Sequence, residues 1–122
     1  SKGEVNAMNK SLIINLHNTM QEIEALEANL FRARETMENL LVEAGVALLQ
    51  EKYGLKAGDV FRHGWPTAGF GNAHRIVSVK SRNANQLDYL VVQAVFIKKD
   101  GSEGKDTVVE LWPGMIVEVV TP

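Results

Sequence analysis

The sequence contains no cysteine, only three prolines among its 122 residues, and no long apolar run. The absence of cysteine excludes disulfide-stapled scaffolds, thiolate zinc sites and cysteine nucleophiles together. A membrane-spanning helix needs about 18 consecutive apolar residues, and no stretch of the sequence is that long. The sequence also lacks the charged segment followed by an apolar core that marks a signal peptide. The sequence therefore predicts a cytoplasmic protein without membrane contact.

An excess of charge of either sign is also missing. Lysine and arginine number 13 against 15 aspartates and glutamates, which leaves a formal net charge of −2. Proteins that bind nucleic acid through their overall charge usually carry a basic excess, so the balance does not favour this class. Apolar residues make up 45% and charged residues 23% of the chain, a composition typical of a folded globular protein.

The composition changes near Gly54. From Asn9 to Tyr53 the chain has no proline and a single glycine, and helix-forming residues dominate. After Gly54, β-branched and aromatic residues occur in short runs separated by Gly, Pro, Asn and Asp. We therefore predict an α+β protein in three segments: residues 1–8 are disordered or foreign to the native chain, residues 9–53 form an oligomerisation helix, and residues 54–122 form a small β-barrel domain.

Apolar and small residues repeat every seven positions along the predicted helix. With Leu16 at heptad position a, the a and d positions form one stripe, the helix seam, which only Thr19 interrupts. A register kept over about five heptads is typical of a coiled coil or a long bundle helix. The a positions are Leu16, Ile23, Leu30, Met37 and Ala44, the d positions are Leu12, Thr19, Leu26, Ala33, Leu40 and Ala47, and apolar residues also occupy the e positions Ile13, Met20, Leu41 and Leu48.

Two details of the helix leave alternatives open. Thr19 and Glu22 have the spacing of a capping box, so the helix has a second possible start at Met20. Gly45 indicates either a kink or a close approach of another helix. The end is clearer, because Lys52 lies in the last turn and Gly54 suits a left-handed cap.

The helix is predicted to be too long for its own barrel to cover. About 44 residues at 1.5 Å each span about 66 Å, whereas a barrel of about 65 residues is about 28 Å across. Self-association into a homodimer or homotetramer is the simplest way to bury the seam. The e and g positions include Glu22, Glu27, Arg34 and Glu43, and this acidic excess by itself gives little guidance on the orientation of the helices. The predicted oligomerisation residues are Leu16, Ile23, Leu26, Leu30, Met37 and Leu40.

Five short antiparallel strands are predicted after the helix, forming a small SH3-like or OB-like barrel. The third strand is apolar on both faces, which predicts that helix or a second subunit covers its outer side. The predicted strands span residues 60–63, 75–80, 87–97, 107–111 and 115–120.

The segment Gly64–Asn72 is predicted to be a loop that carries Trp65 and Phe70 among small residues. Large aromatic side chains on a loop favour a protein-binding surface, with Arg62 and Arg75 as its polar rim. The alternative is that the two aromatic side chains fold inward and plug one end of the barrel. The predicted function is a non-enzymatic homo-oligomeric adaptor that presents these aromatic side chains to a protein partner.

Two other functions stay open. A basic face of the barrel formed by Arg62, Arg75, Lys80 and Arg82 would suit a dimeric RNA- or DNA-binding protein. A structural subunit of a larger assembly is the second alternative. No cofactor or metal is predicted, because the histidines and aspartates that a barrel brings together lack a diagnostic spacing: His63, His74, Asp59 and Asp88.

Catalysis has no motif to support it. The sequence contains no serine elbow, no paired carboxylates and no HExxH, and no base lies beside a serine in the sequence. The protein is therefore predicted not to be an enzyme.

Overall fold

The computed structural model describes the backbone of residues 2–121 and the side chains of residues 9–121. One long helix precedes a five-stranded antiparallel sheet, so the α+β class is confirmed. The elements are α1 (Lys2–Tyr53), β1 (Val60–Trp65), β2 (Gly69–Asn83), β3 (Gln86–Ile97), β4 (Glu103–Leu111) and β5 (Ile116–Val120). The chain divides into two compact units, Ser1–Met37 and Glu38–Pro122.

The helix runs without interruption from Lys2 to Tyr53. The alternative start at Met20 is wrong, because the Thr19 hydroxyl donates to the carbonyl of Asn15 (2.9 Å) inside the helix instead of capping it. The predicted end is confirmed: Gly54 has φ 66° and its N–H donates to the Gln50 carbonyl (2.9 Å), which satisfies one carbonyl of the last turn. The prediction that residues 1–8 are disordered or foreign to the native chain stays a prediction, and the side chains of these residues lie outside the described part.

The strands lie in the order β4-β3-β2-β1-β5, each antiparallel to its neighbours. Consecutive strands pair from β1 to β4, and β5 returns to the free side of β1. Within the described residues β4 and β5 are the two edges and do not pair, so the sheet is open. Closure into a barrel is therefore not shown.

The predicted strands all correspond to observed ones, but β2 is much longer than expected. It spans 15 residues against the predicted 75–80, because residues 69–74 and 81–83 extend the strand at its two ends. A register shift between Ile76 and Ser78 interrupts its pairing with β3. A β-bulge of this kind bends a strand and increases its twist.

The core lies between the sheet and the last turns of α1. Leu41, Gly45 and Leu49 recur every four residues on one helical face and are buried, as the helical period requires. Leu49 belongs to the main apolar cluster, whose other buried members are Leu55, Phe61, Ile76, Val79, Leu90, Val92, Ala94, Val109 and Leu111.

Strand β3 matches its predicted apolar character on both faces. Val92 and Ala94 lie in the core cluster, while Val95, which alternation places on the other face, is only 6% exposed. Tyr89 and Val91 are half-buried. The prediction that helix or a second subunit covers the outer side of β3 stays a prediction, since among Tyr89, Val91 and Val95 burial on that face is limited to Val95.

Gly45 marks a close approach of α1 to β2. A Cβ built on it would lie 2.5 Å from Lys80 Cα, 2.6 Å from Lys80 C and 2.7 Å from Ser81 N. The Lys80 side chain also reaches back to the helix, where its Nζ lies 2.6 Å from Glu38 Oε1. Glycine is thus required here for space, and of the two alternatives the close approach is correct. The expectation that the neighbour is another helix is wrong, because the neighbouring element is the strand β2.

Among the described residues, no helix combines the length and the apolar character needed to cross a membrane.

Candidate binding surfaces

The tip of the β1–β2 hairpin carries two exposed aromatic side chains. Trp65 ends β1 opposite Gly69, and Phe70 lies in β2 opposite Gly64. The Ala68 N–H donates to the Trp65 carbonyl (3.0 Å) and closes the turn. The prediction of an irregular loop over Gly64–Asn72 is therefore wrong, because its glycines allow a tight hairpin. Gly69 has φ 78°, and a Cβ on Gly64 would collide with the Gly69 carbonyl.

The exposure of the hairpin tip, defined by Trp65 and Phe70, distinguishes between a binding surface and a plug of the barrel. Trp65 is 41% and Phe70 45% exposed, whereas Phe61 on the same hairpin is fully buried. One edge of the Trp65 ring lies near Gly114, with Cζ3 3.6 Å from where a Cβ would stand. Neither aromatic side chain is a core plug, and both offer ring surface to a partner.

The two arginines predicted as the rim lie lower on the hairpin and face carboxylates. Arg75 forms a close ion pair with Glu103, its Nη2 lying 2.7 Å from Oε1, and its Nε donates to the same oxygen. Arg62 Nη1 lies 3.9 Å from Glu118 Oε2, and both side chains are about half exposed. The rim is therefore a set of paired charges and not a free cationic patch.

The same pairing bears on the nucleic-acid hypothesis. Three of its four cations, Arg62, Arg75 and Lys80, each have a carboxylate partner. Arg82 lies over the ring of Tyr89, with Cζ 5.9 Å from the ring centroid. Cations already neutralised by carboxylates release fewer counterions from a phosphate backbone, which lowers the expected affinity for nucleic acid.

Two histidines meet beside the core. The ring centroids of His63 and His74 are 5.8 Å apart, and Phe61 and Phe96 flank them at 5.9 and 5.8 Å respectively. Burial lowers the pKa of His63, and the neighbouring His74 lowers it further. Burial also lowers the pKa of His74, although a hydrogen bond to the Asn72 carbonyl opposes the shift. Both rings thus favour the neutral form.

These histidines do not make a metal site with the predicted aspartates. Among the described side chains, no group of three His, Asp or Glu residues is placed to hold a metal ion. Asp59 accepts a hydrogen bond from the Lys56 N–H (3.0 Å), and Asp88 pairs with Lys52 (3.6 Å). The open depression beside His74 and Phe96, with a volume of about 580 Å³, is lined on its other sides mainly by lysines and carboxylates of the β3–β4 hairpin.

A second aromatic cluster was missed by the sequence analysis. Tyr89 and Trp112 have ring centroids 5.3 Å apart, and Arg82 completes the cluster. Trp112 is 39% exposed, and its indole N–H donates to Glu110 Oε2 (3.0 Å). The pairing of Leu90 with Leu111 places the two aromatic residues on neighbouring strand ends. Only this register reveals the cluster, because 22 residues separate Tyr89 from Trp112 in the sequence.

The helix seam is the most extensive exposed apolar feature. Every side chain from Asn9 to Leu40 is exposed, and burial along α1 begins at Leu41. The six predicted oligomerisation residues all lie on this exposed part. Their exposed fractions are 63% for Leu16, 49% for Ile23, 67% for Leu26, 49% for Leu30, 47% for Met37 and 54% for Leu40.

Comparison of the chain with protein-family models, with curated proteins and with solved structures gives no match.

Proposed function

We propose that the protein is a non-enzymatic homo-oligomeric adaptor or binding protein. In this proposal the helix seam joins copies into a homodimer or homotetramer, and the sheet domain presents the hairpin tip to a protein partner. The observation that carries the proposal is the exposed stripe of mainly apolar side chains from Leu12 to Leu40, whose large members are 47–67% exposed.

The exposed seam is costly for an isolated chain. Burying a Leu, Ile or Met side chain completely contributes about 1.5–3 kcal/mol, so one that is half covered already gains about 1 kcal/mol more on full burial. Continuous apolar patches of more than a few hundred Å² are rare on monomeric proteins and mark interaction sites. Because a repeat of seven residues keeps the a and d side chains on one face of the helix, a second helix is the element best able to bury them and gain this free energy.

The hairpin tip has the properties of a binding anchor. On binding a partner, Trp65 and Phe70 would bury a large surface area while few side-chain torsion angles lose their freedom. Aromatic side chains are also enriched among the residues that dominate interface affinity. Self-association also strengthens a weak site, because two tips on one dimer raise the effective concentration of the second contact.

A pull-down from cell lysate with a matched control tests the tip. Replacing Trp65 and Phe70 with alanine is expected to abolish partner capture while the urea midpoint of the protein stays near that of the wild type. Trp112→Ala removes a comparably exposed tryptophan outside the tip and is expected to keep the partners. Unchanged capture by the tip variant, or loss of capture in the Trp112 variant alone, would contradict the proposal.

The cluster of Arg82, Tyr89 and Trp112 supports one alternative function. An arginine over one ring of an aromatic pair is able to stack with exposed bases, which favours single-stranded nucleic acid. The test is a titration with mixed single- and double-stranded oligonucleotides at low salt. Binding that weakens steeply as salt rises, and that Arg82→Ala reduces, would favour this alternative over the adaptor.

An SH3-like closure of the sheet is a further proposal. The bulge in β2 between Ile76 and Ser78, and the pairing of β1 with both β2 and β5, support it, because a bent strand can serve both halves of a small barrel. A location in the cytoplasm stays a prediction.

A further inference from the structure

The residues in and beside the helix seam indicate the orientation of the helix that pairs with it. We propose that the segment 12–37 pairs with the same segment of a second copy in antiparallel orientation, an inference that rests on the self-association proposed above. Seam residues whose numbers add up to 49 then lie side by side, as Leu12 and the partner's Met37 do, while the nearest neighbours beside the seam add up to 47 at e positions and to 51 at g positions.

The paired segment begins at Leu12, the first apolar seam residue among the described side chains, and ends at Met37, where the first compact unit ends. Side chains are exposed up to Leu40, and from Leu41 onward the core of the second unit takes up one face of α1. A pairing of 12–37 with itself uses only residues of the first compact unit, Ser1–Met37. It joins 26 residues of each helix over about 39 Å.

The register agrees with the heptad pattern, because in an antiparallel pair each a residue lies beside a d residue of the other helix. Thr19 is then placed beside a leucine and not beside a second Thr19. Its hydroxyl already donates to the Asn15 carbonyl within the helix, which lowers the cost of burying it. The layers are Leu12 with the partner's Met37, Leu16 with the partner's Ala33, Thr19 with the partner's Leu30, and Ile23 with the partner's Leu26.

The charges beside the seam distinguish the two orientations. In a parallel pair Glu22 at g lies against the partner's Glu27 at e, and the symmetry repeats this like-charge contact. In the antiparallel pair e residues meet e residues and g residues meet g residues. Glu27 then lies beside the partner's Met20, and Glu22 beside the partner's Asn29, so no like charges are adjacent.

The apolar e positions gain a role in the same register. Met20 lies against the aliphatic part of the partner's Glu27, and Ile13 against the stem of the partner's Arg34. Long charged side chains cover apolar surface in this way while their charged ends stay in water. If the seam pairs were shifted by one heptad, so that their numbers added up to 56, the e position Glu27 would instead lie against the partner's Glu27.

Two single-cysteine variants test the orientation directly, because the chain has no cysteine of its own. Leu12→Cys and Met37→Cys chains are mixed under reducing conditions, allowed to exchange, oxidised and analysed by intact mass. We expect the mixed 12-to-37 disulfide as the main covalent product, and little covalent dimer from either variant alone. In a parallel pair these positions lie about 38 Å apart, far beyond the about 7 Å that a disulfide can bridge.

The outcomes separate the orientation from the self-association. Covalent dimers that join 12 to 12 or 37 to 37, or a noncovalent dimer without the mixed product, would overturn the antiparallel register while self-association stands. Light scattering of the reduced variants and of the wild-type chain that shows only monomers would overturn self-association itself. Leu16→Cys mixed with Ala33→Cys provides a second pair with the same expected product if either first variant is poorly folded.

Discussion

Replacing Gly45 with alanine tests whether the contact between α1 and β2 fixes this residue. On an exposed helix the change would stabilise the protein by about 1 kcal/mol, because alanine has the higher helix propensity. In this protein the added methyl group would lie 2.5–2.7 Å from three backbone atoms of Lys80 and Ser81. Helix propensity alone therefore predicts that Gly45→Ala stabilises the protein, whereas the close packing against β2 predicts that it destabilises the protein.

The expected magnitude follows from these distances. Carbon atoms in good contact are about 3.5–4.0 Å apart, so the new methyl group lies roughly 1 Å too close to each neighbour. Backbone atoms cannot rotate away as a side chain can, which puts the cost near the upper end of the about 1–3 kcal/mol found for overpacking. After subtraction of the propensity gain, Gly45→Ala is expected to lower the free energy of unfolding by about 2 kcal/mol.

Urea unfolding of the full chain, followed by tryptophan fluorescence at one fixed protein concentration, measures this change. Glu43→Ala and Glu43→Gly calibrate the propensity term at an exposed position two residues away, where alanine is expected to be the more stable by about 1 kcal/mol. A Gly45→Ala variant as stable as the wild type, or more stable, would refute the close approach as the reason for glycine.

Two further predictions concern the second unit. Ser81 is fully buried and its hydroxyl donates to the Leu87 carbonyl (2.9 Å), so Ser81→Ala is expected to cost about 1 kcal/mol in urea unfolding; a cost no larger than that of the exposed Ser78→Ala would refute the role of this bond. Burial lowers the pKa of His63 and His74 below the about 6.5 of an unfolded chain, so the unfolded state takes up protons first as pH falls. Stability is therefore expected to be highest above pH 6.5 and to be lost as pH falls through the folded pKa values. The drop in the urea midpoint between pH 7.5 and 5.5 should be smaller when both histidines are replaced with glutamine, and an equal drop would show that other groups cause it.

The helix and its end were predictable because their signals are local. The absence of proline, the seven-residue repeat and the cap at Gly54 all act within a few turns. The capping box at Thr19 misled for a physical reason: a threonine hydroxyl serves equally well to bond a carbonyl four residues earlier inside a helix. Because the helix continues on both sides of Thr19, the hydroxyl bonds a carbonyl inside the helix and does not cap a helix start.

The candidate surfaces were predictable only in part, because they depend on strand register. Trp65 and Phe70 were identified from their glycine-rich surroundings, but that composition suits a tight hairpin as well as a loop. The partners of Arg62 and Arg75 come from strands far along the chain, at Glu118 and Glu103. Sequence spacing gives no sign of such pairs, so the sequence alone does not distinguish paired cations from free ones.

The central claim is that the exposed seam joins copies of the chain, and the absolute mass in solution tests it most directly. Light scattering on a sizing column would compare the wild type with two double variants, Leu26→Gln with Leu30→Gln on the seam, and Ile14→Gln with Phe31→Gln on exposed positions outside it. The account predicts a dimer or tetramer for the wild type and for the second variant, and a monomer for the seam variant. A monomeric wild type, or a seam variant with unchanged mass, would contradict it.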